Sequence, residues 1–165
     1  CPHRRVMRTA TARLQAGDLR RETVWGDFAE MMPRGQPGPG DRGFDVTVNW
    51  GRTYWGGAIF CLLADVRIHQ QAEGRMGLQT ALRAINARRD FRHYWDFRET
   101  LAIGDEATGT SVLIGQYEDM RLDAKPADLD ALWADLGVRV GDGTVTFDEG
   151  ARLAAIRRAI ERPKS

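Results

Sequence analysis

Histidine is the residue type most used for metal and acid–base chemistry, and this chain contains three, His3, His69 and His93. None belongs to a His-Glu-x-x-His motif, the spacing that puts two zinc ligands on one face of a helix. Glu73 follows His69 by four residues, which could place both on one side of a helix, but we interpret them as surface residues at its solvated end. His93 stands beside Tyr94 and is expected to be a packing residue. The sequence therefore predicts no metal or other cofactor site in this chain.

Carboxylates that could serve in acid–base chemistry are Asp90, Asp96, Glu99, Asp105 and Glu106. Carboxylates at loops and helix ends usually cap helices or are solvated, and spacing distinguishes no pair among these five. We expect them to be structural. The sequence also lacks a Cys-x-x-Cys motif, a phosphate-binding P-loop and a Gly-x-Ser-x-Gly nucleophile motif.

Basic side chains beside aromatic rings can hold phosphates and stack bases. Such a run is formed by Arg83, Arg88, Arg89, Arg92, Tyr94 and Trp95. The formal net charge of the chain is only +1, so its overall field does not favour nucleic acid. We interpret the arginines as the solvated face of a helix. No apolar run reaches the roughly 18 residues of a membrane span, so we expect neither nucleic acid nor membrane as a partner.

The pattern around these residues is typical of a mainly α-helical domain, or a fragment of one, spanning residues 1–165. Apolar residues recur at helical spacing, which predicts helices near 22–32, 55–73, 77–92, 108–121, 126–136 and 151–161, with a less regular one within 6–19. A Gly/Pro-rich segment at 33–43 is interpreted as a surface loop, or alternatively as a linker. Phe44 to Trp50 is predicted to be extended, and a small β-hairpin is predicted near 138–147 around Asp142-Gly143.

The helix predicted near 55–73 is apolar on nearly every side, which indicates an interior position. Cys61 lies within this apolar run and is expected to be a small buried hydrophobe. Four larger side chains are predicted to be buried as well: Phe60, Leu63, Leu82 and Trp133.

Residues 51–68 read Gly-Arg-Thr-Tyr-Trp-Gly-Gly-Ala-Ile-Phe-Cys-Leu-Leu-Ala-Asp-Val-Arg-Ile. This segment resembles the stretch of gluzincin zinc aminopeptidases in which a tyrosine, any residue, a lysine and a glycine open a long buried helix. It is most similar to the bacterial glycyl aminopeptidase family. That family continues with leucines, an aspartate, an apolar residue and an arginine, and then a second helix, much like Leu62, Leu63, Asp65, Val66, Arg67, Gly77, Leu78, Leu82 and Arg83. The resemblance covers roughly residues 50–92.

The resemblance implies a helical subdomain of a thermolysin-like peptidase, the C-terminal portion of a zinc-dependent enzyme that hydrolyses peptides at their N-termini. Tyr54 would be its catalytic residue in this chain, with a hydroxyl that donates a hydrogen bond to the oxyanion. The family's zinc ligands lie N-terminal to this tyrosine. We expect a chain that begins at Cys1 to be cut from something longer and to be inactive alone, while zinc and the peptide substrate belong to the intact parent. Gly56 stands where the family has lysine, which leaves the parent's activity open.

A function of a different class fits the same helical pattern. The chain could be a non-catalytic helical module that binds another protein, since amphipathic helices serve both roles. The sequence selects neither a compartment nor an oligomeric state.

We predict that this chain alone binds no zinc at a defined site, because it lacks three ligands of suitable type and spacing and structural zinc normally has four. Metal analysis of chelator-washed, zinc-incubated protein should give far less than one equivalent. Near-stoichiometric zinc that is lost on replacing His69 or His93 would contradict this prediction.

Overall fold

A computed structural model describes residues 21–46, 51–88, 94, 96–142 and 144–162. Within them the chain is mainly helical, as predicted, with seven α-helices and a two-stranded antiparallel sheet. A 3₁₀ turn, Met32–Gly35, follows the first described helix, and a π-helical turn, Arg52–Gly56, leads directly into the second. No helix in these ranges is long and apolar enough to cross a membrane. The elements are α1 Arg21–Met31, α2 Gly57–Gln71, α3 Leu78–Arg88, α4 Phe97–Thr108, α5 Val112–Arg121, α6 Leu129–Leu136, β1 Val138–Gly141, β2 Thr144–Phe147 and α7 Ala154–Glu161.

The predicted β-hairpin is confirmed, with Val138 opposite Phe147 and Gly141 opposite Thr144. Asp142 begins its turn with φ of +49°, the left-handed conformation that a tight hairpin turn requires. Of the segment predicted to be extended from Phe44 to Trp50, the first three residues instead form a turn, and 47–50 lie outside the described residues.

The six helices predicted for 22–161 are present, several with later starts than expected. The helix predicted near 108–121 begins at Val112 because Thr108 belongs to the preceding helix, which Gly109 ends with φ of +64°. The helix predicted near 126–136 begins at Leu129, where the Asp128 carboxylate caps it by accepting the N–H of Ala131 at 2.9 Å. The stretches 6–19 and 89–92 lie outside the described residues.

Helix α4 is the element that apolar spacing did not predict. Asp96 caps its start by accepting the N–H groups of Arg98 at 2.8 Å and Glu99 at 3.2 Å. Its central inward position is a glycine: a Cβ at Gly104 would lie 2.5 Å from Leu113 Cδ1. Because glycine, rather than a larger apolar residue, occupies this inward position, the spacing of apolar residues does not indicate a helix here.

Helix α2 lies between two apolar clusters. Ile59, Leu62 and Val66 belong to the larger one, which residues of α1, α6 and β1 complete. Ala64 and Ile68 belong to the second, which α3, α4 and α5 complete. Full burial of one such aliphatic side chain contributes about 1.5–3 kcal/mol, so covering α2 on two flanks is a large stabilising contribution. The predicted interior position of this helix is confirmed.

Four side chains predicted to be buried are less so in the structure. Phe60, Leu63 and Trp133 are half-buried, and Leu82 is 51% exposed. Leu82 follows the fully buried Ala81 in α3, and one residue is a rotation of about 100° around a helix. That rotation turns Leu82 towards solvent.

Arg157 in α7 is fully buried and joins three elements. Its Nη1 donates to the carbonyl oxygens of Leu136 at 2.9 Å and Gly137 at 3.2 Å, at the C-terminal end of α6. Its Nη2 donates to Glu149 Oε1 at 2.5 Å, and its Cζ lies 4.6 Å from the ring centroid of Phe147 in β2. One side chain therefore ties α6, the hairpin and α7 together.

Arg157→Ala is expected to lower the free energy of unfolding by about 2–4 kcal/mol, because it removes buried packing and takes a donor from two carbonyl oxygens. Arg158→Ala is a matched control: this neighbour pairs with Glu149 at the surface, and such a pair contributes at most about 1 kcal/mol. Equilibrium urea unfolding followed by circular dichroism measures both. Equal losses in the two variants would contradict the role assigned to Arg157.

Candidate functional site

Tyr54, the catalytic residue that the sequence suggested, lies on the π-helical turn that precedes α2. Its side chain is 60% exposed, and its ring meets that of Trp55 edge-on, with centroids 5.3 Å apart. Single π-helical turns are rare and frequently occur at functional sites. A phenol in this position is accessible to a ligand, while its catalytic role stays a prediction.

Two glycines let the chain approach the π-helical turn closely. A Cβ on Gly35, at the end of the 3₁₀ turn, would lie 2.3 Å from both the backbone nitrogen of Gly56 and the carbonyl carbon of Trp55. A Cβ on Gly56 would lie 2.7 Å from Cε1 of Phe44 and 3.3 Å from the carbonyl oxygen of Gly35. A lysine, the residue of the resembled family at position 56, would therefore collide with Phe44. Gly56 fits its neighbours in this chain.

Arg52 secures the same turn from the inside. It is 4% exposed, its Nη2 donates to the carbonyl oxygen of Arg42 at 3.0 Å, and its Cζ lies 5.0 Å from the ring centroid of Phe44. A cation above an aromatic face contributes about 0.5–2 kcal/mol, more when it is desolvated. The guanidinium thus holds the segment 42–44 against the turn.

Beyond the π-helical turn, α2 has an exposed side that includes Gly57 and Cys61. Cys61 follows Gly57 by four residues, which places both on one side of the helix. A Cβ at Gly57 would meet open space. Cys61 is exposed, so the prediction that it is buried is wrong: α2 covers its two flanks in the apolar clusters and leaves this side to solvent.

The Cys61 thiol is accessible but not activated. Desolvation by neighbouring protein atoms, and less strongly the carboxylate of Asp65, raises the pKa of Cys61 above its ordinary 9.0. Because the thiolate is the nucleophile, this environment opposes nucleophilic catalysis by Cys61 at neutral pH.

The C-terminal end of α2 borders a polar cleft of about 330 Å³, lined by Asp65, His69, Gly77, Gln79, Ala159, Ile160, Glu161 and Arg162. His69 is 2% exposed, so its interpretation as a surface residue is wrong. Helix α2 ends at Gln71, and Glu73 adopts φ of +52° beyond that end. Glu73 therefore does not share a helical face with His69, whose Nε2 lies 3.6 Å from Asp65 Oδ1 instead.

Asp65 and Glu161, the carboxylates that line this cleft, form hydrogen bonds that stabilise the fold. Asp65 Oδ1 accepts the N–H of Leu78 at 2.8 Å and so caps the start of α3. Glu161 Oε1 accepts Nε1–H of Trp25 at 2.8 Å and lies 3.5 Å from Nε of Arg157. Among the described residues no three histidine, cysteine, aspartate or glutamate side chains come together as a metal site.

Of the other carboxylates considered for chemistry, Asp96, Asp105 and Glu106 cap helices or form an ion pair, Glu99 lies in the first turn of α4, and Asp90 lies outside the described residues. Asp105, which is 6% exposed, accepts the N–H groups of Leu113 at 2.9 Å and Ile114 at 3.0 Å and so caps α5. Glu106 accepts from Arg88 at 2.6 Å, a hydrogen bond that lowers the pKa of Glu106 below its ordinary value. Their structural interpretation is supported for these residues, as it is for Asp96 at the start of α4.

Sequence reasoning suggested Tyr54, whose role stays a prediction, but did not single out Gly35 and Arg52, which hold the turn that carries it. Their only signal was the Gly/Pro-rich composition of 33–43 and a lone arginine before the helix. Neither reveals a contact between segments some twenty residues apart.

No family model, curated protein or solved structure matches this chain. The resemblance to gluzincin aminopeptidases therefore rests on the segment around residues 50–92. Arguments about function rest on that segment and on the geometry around Tyr54.

Alkylation of a Cys1→Ser variant by iodoacetamide should follow a pH titration whose midpoint lies above 9.0, since the thiolate reacts and the pKa of Cys61 is raised. Asp65→Asn keeps an oxygen acceptor for Leu78 but removes the negative charge, so it should lower the midpoint. Mass spectrometry of the Cys61 peptide gives the rate at each pH. A midpoint at or below 9.0 would contradict the raised pKa of Cys61.

Proposed function

We propose that this chain is the C-terminal helical portion of a zinc-dependent metallopeptidase of the aminopeptidase type and is inactive alone. The single observation that supports this proposal most strongly is the accessible phenol of Tyr54 at the head of a buried helix. The segment that resembles the bacterial glycyl aminopeptidase family begins at this same turn. The described residues do not fit a zinc site, so in this proposal the metal belongs to another part of the parent.

Tyr54 would act on the carbonyl oxygen of the scissile peptide bond. When water adds to the carbonyl carbon, that oxygen gains negative charge, and the tyrosine hydroxyl donates a hydrogen bond to it. Such a donor helps only if it is already in place, because reorientation during the reaction would cost part of the gain. The close contacts of Arg52 and Gly56 with the loop 35–44 support a rigid turn beneath Tyr54.

A non-catalytic helical module that binds another protein is the rival proposal. Two half-exposed apolar side chains favour it: Leu82 in α3 is 51% exposed and Phe97 in α4 is 52% exposed. Single apolar side chains at a surface are common, however, and Phe97 already stacks edge-on with Tyr117. The peptidase proposal accounts for the position of Tyr54, and the module does not.

In the intact parent, Tyr54→Phe should lower kcat for an aminoacyl substrate by a factor of about 10²–10³, with little change in KM, because the hydroxyl acts in the transition state. Tyr94→Phe is the matched control, since it removes the same hydroxyl from a tyrosine that is 98% exposed. Steady-state kinetics with both variants makes the comparison. Unchanged turnover in Tyr54→Phe would reduce Tyr54 to a packing residue.

A further inference from the structure

We propose that Gly35 and Arg52 are positioning residues that fix the direction of the Tyr54 side chain by holding the turn Arg52–Gly56 in its π-helical register. Their link to catalysis rests on the function proposed above. The positioning itself is a property of this chain and is measured without any activity.

The first support is the backbone contact at Gly35. With a Cβ there only 2.3 Å from Gly56 N and Trp55 C, any other residue at position 35 would displace one of the two backbones. The carbonyl oxygen of Gly35 also lies 3.3 Å from the position that a Cβ on Gly56 would take. The present relation between the turn and the segment 32–35 therefore depends on glycine at position 35.

The second support is that the covering loop is itself anchored at two places. The side chain of Gln36 forms a pair of hydrogen bonds with the backbone of Ala127, donating at 2.5 Å and accepting at 3.0 Å. The N–H groups of Gly43, Phe44 and Asp45 donate to carbonyl oxygens at the C-terminal end of α5 at 3.0–3.1 Å. Because this loop is anchored at both ends, it holds the turn in a defined position. Arg52 links the loop to the turn by donating to the Arg42 carbonyl oxygen.

The third support is the effect of register on direction. A π-helical turn contains one more residue than α-helical hydrogen bonding would place there. Its conversion to α-helix would rotate the residues before it by about 100° around the axis. Tyr54 lies within this turn, so a change of register would change the direction of its side chain relative to α2.

Nitration by tetranitromethane tests this proposal on the 165-residue chain. Peptide mass spectrometry gives the extent of nitration of Tyr54 relative to Tyr94, which serves as an internal reference because it is 98% exposed. Gly35→Ala and Arg52→Ala should change this ratio by about threefold or more, because the turn loses its π register. Arg52→Lys, which keeps a donor for the Arg42 carbonyl, should restore the ratio in part.

Two controls separate positioning from general stability. Gly57→Ala adds the same methyl group directly after the π-helical turn, where it meets open space, so its ratio should equal that of the unsubstituted 165-residue chain. Leu113→Ala, in the second apolar cluster, should lower the melting temperature and leave the ratio unchanged. An unchanged ratio in Gly35→Ala, or an equal change in Leu113→Ala, would overturn the proposal.

The same variants in the intact parent connect positioning to the proposed function. Gly35→Ala should lower kcat more than it changes KM. If the nitration ratio changes while the parent shows no peptidase activity at all, the positioning of Tyr54 stands and the proposed function fails.

Discussion

Helix α2 is apolar on nearly every side, and the rest of the described fold is arranged to cover it. The larger cluster covers one flank and the smaller cluster covers the other. Tyr54, just before the helix, and Cys61, within it, remain exposed to solvent.

Covering a central helix buries polar groups, and several of them form hydrogen bonds with specific partners. Asp105 caps α5 from inside α4, and Gln116 donates to the carbonyl oxygen of Phe60 at 2.7 Å while it accepts from Arg67 at 3.2 Å. Arg157 donates to carbonyl oxygens at the C-terminal end of α6. A buried polar group without a partner costs about 1–3 kcal/mol, so these bonds specify how the helices meet as much as the apolar contacts do.

The sequence predicts the helical class, the central helix and the hairpin because these depend on local spacing and turn residues. It fails where a contact depends on distant segments. Helix α4 is missed because its inward position is Gly104, which packs closely against Leu113 but does not count as an apolar residue in the pattern. Leu82 resembles a core residue in the sequence, although its neighbour Ala81 takes the inward position. The same limit applies to the site: local resemblance can suggest Tyr54, whose role stays a prediction, whereas the close approach of Gly35 to residues twenty positions further along the chain has no local signal.

The proposed function makes Tyr54 one part of a catalytic centre whose other parts belong to the parent protein. The coding sequence upstream of the Cys1 codon tests this claim most directly. The account predicts an in-frame His-Glu-x-x-His motif there, followed by a glutamate on a predicted helix. An in-frame start codon shortly before Cys1, with no such motif, would contradict the peptidase assignment and favour the protein-binding module.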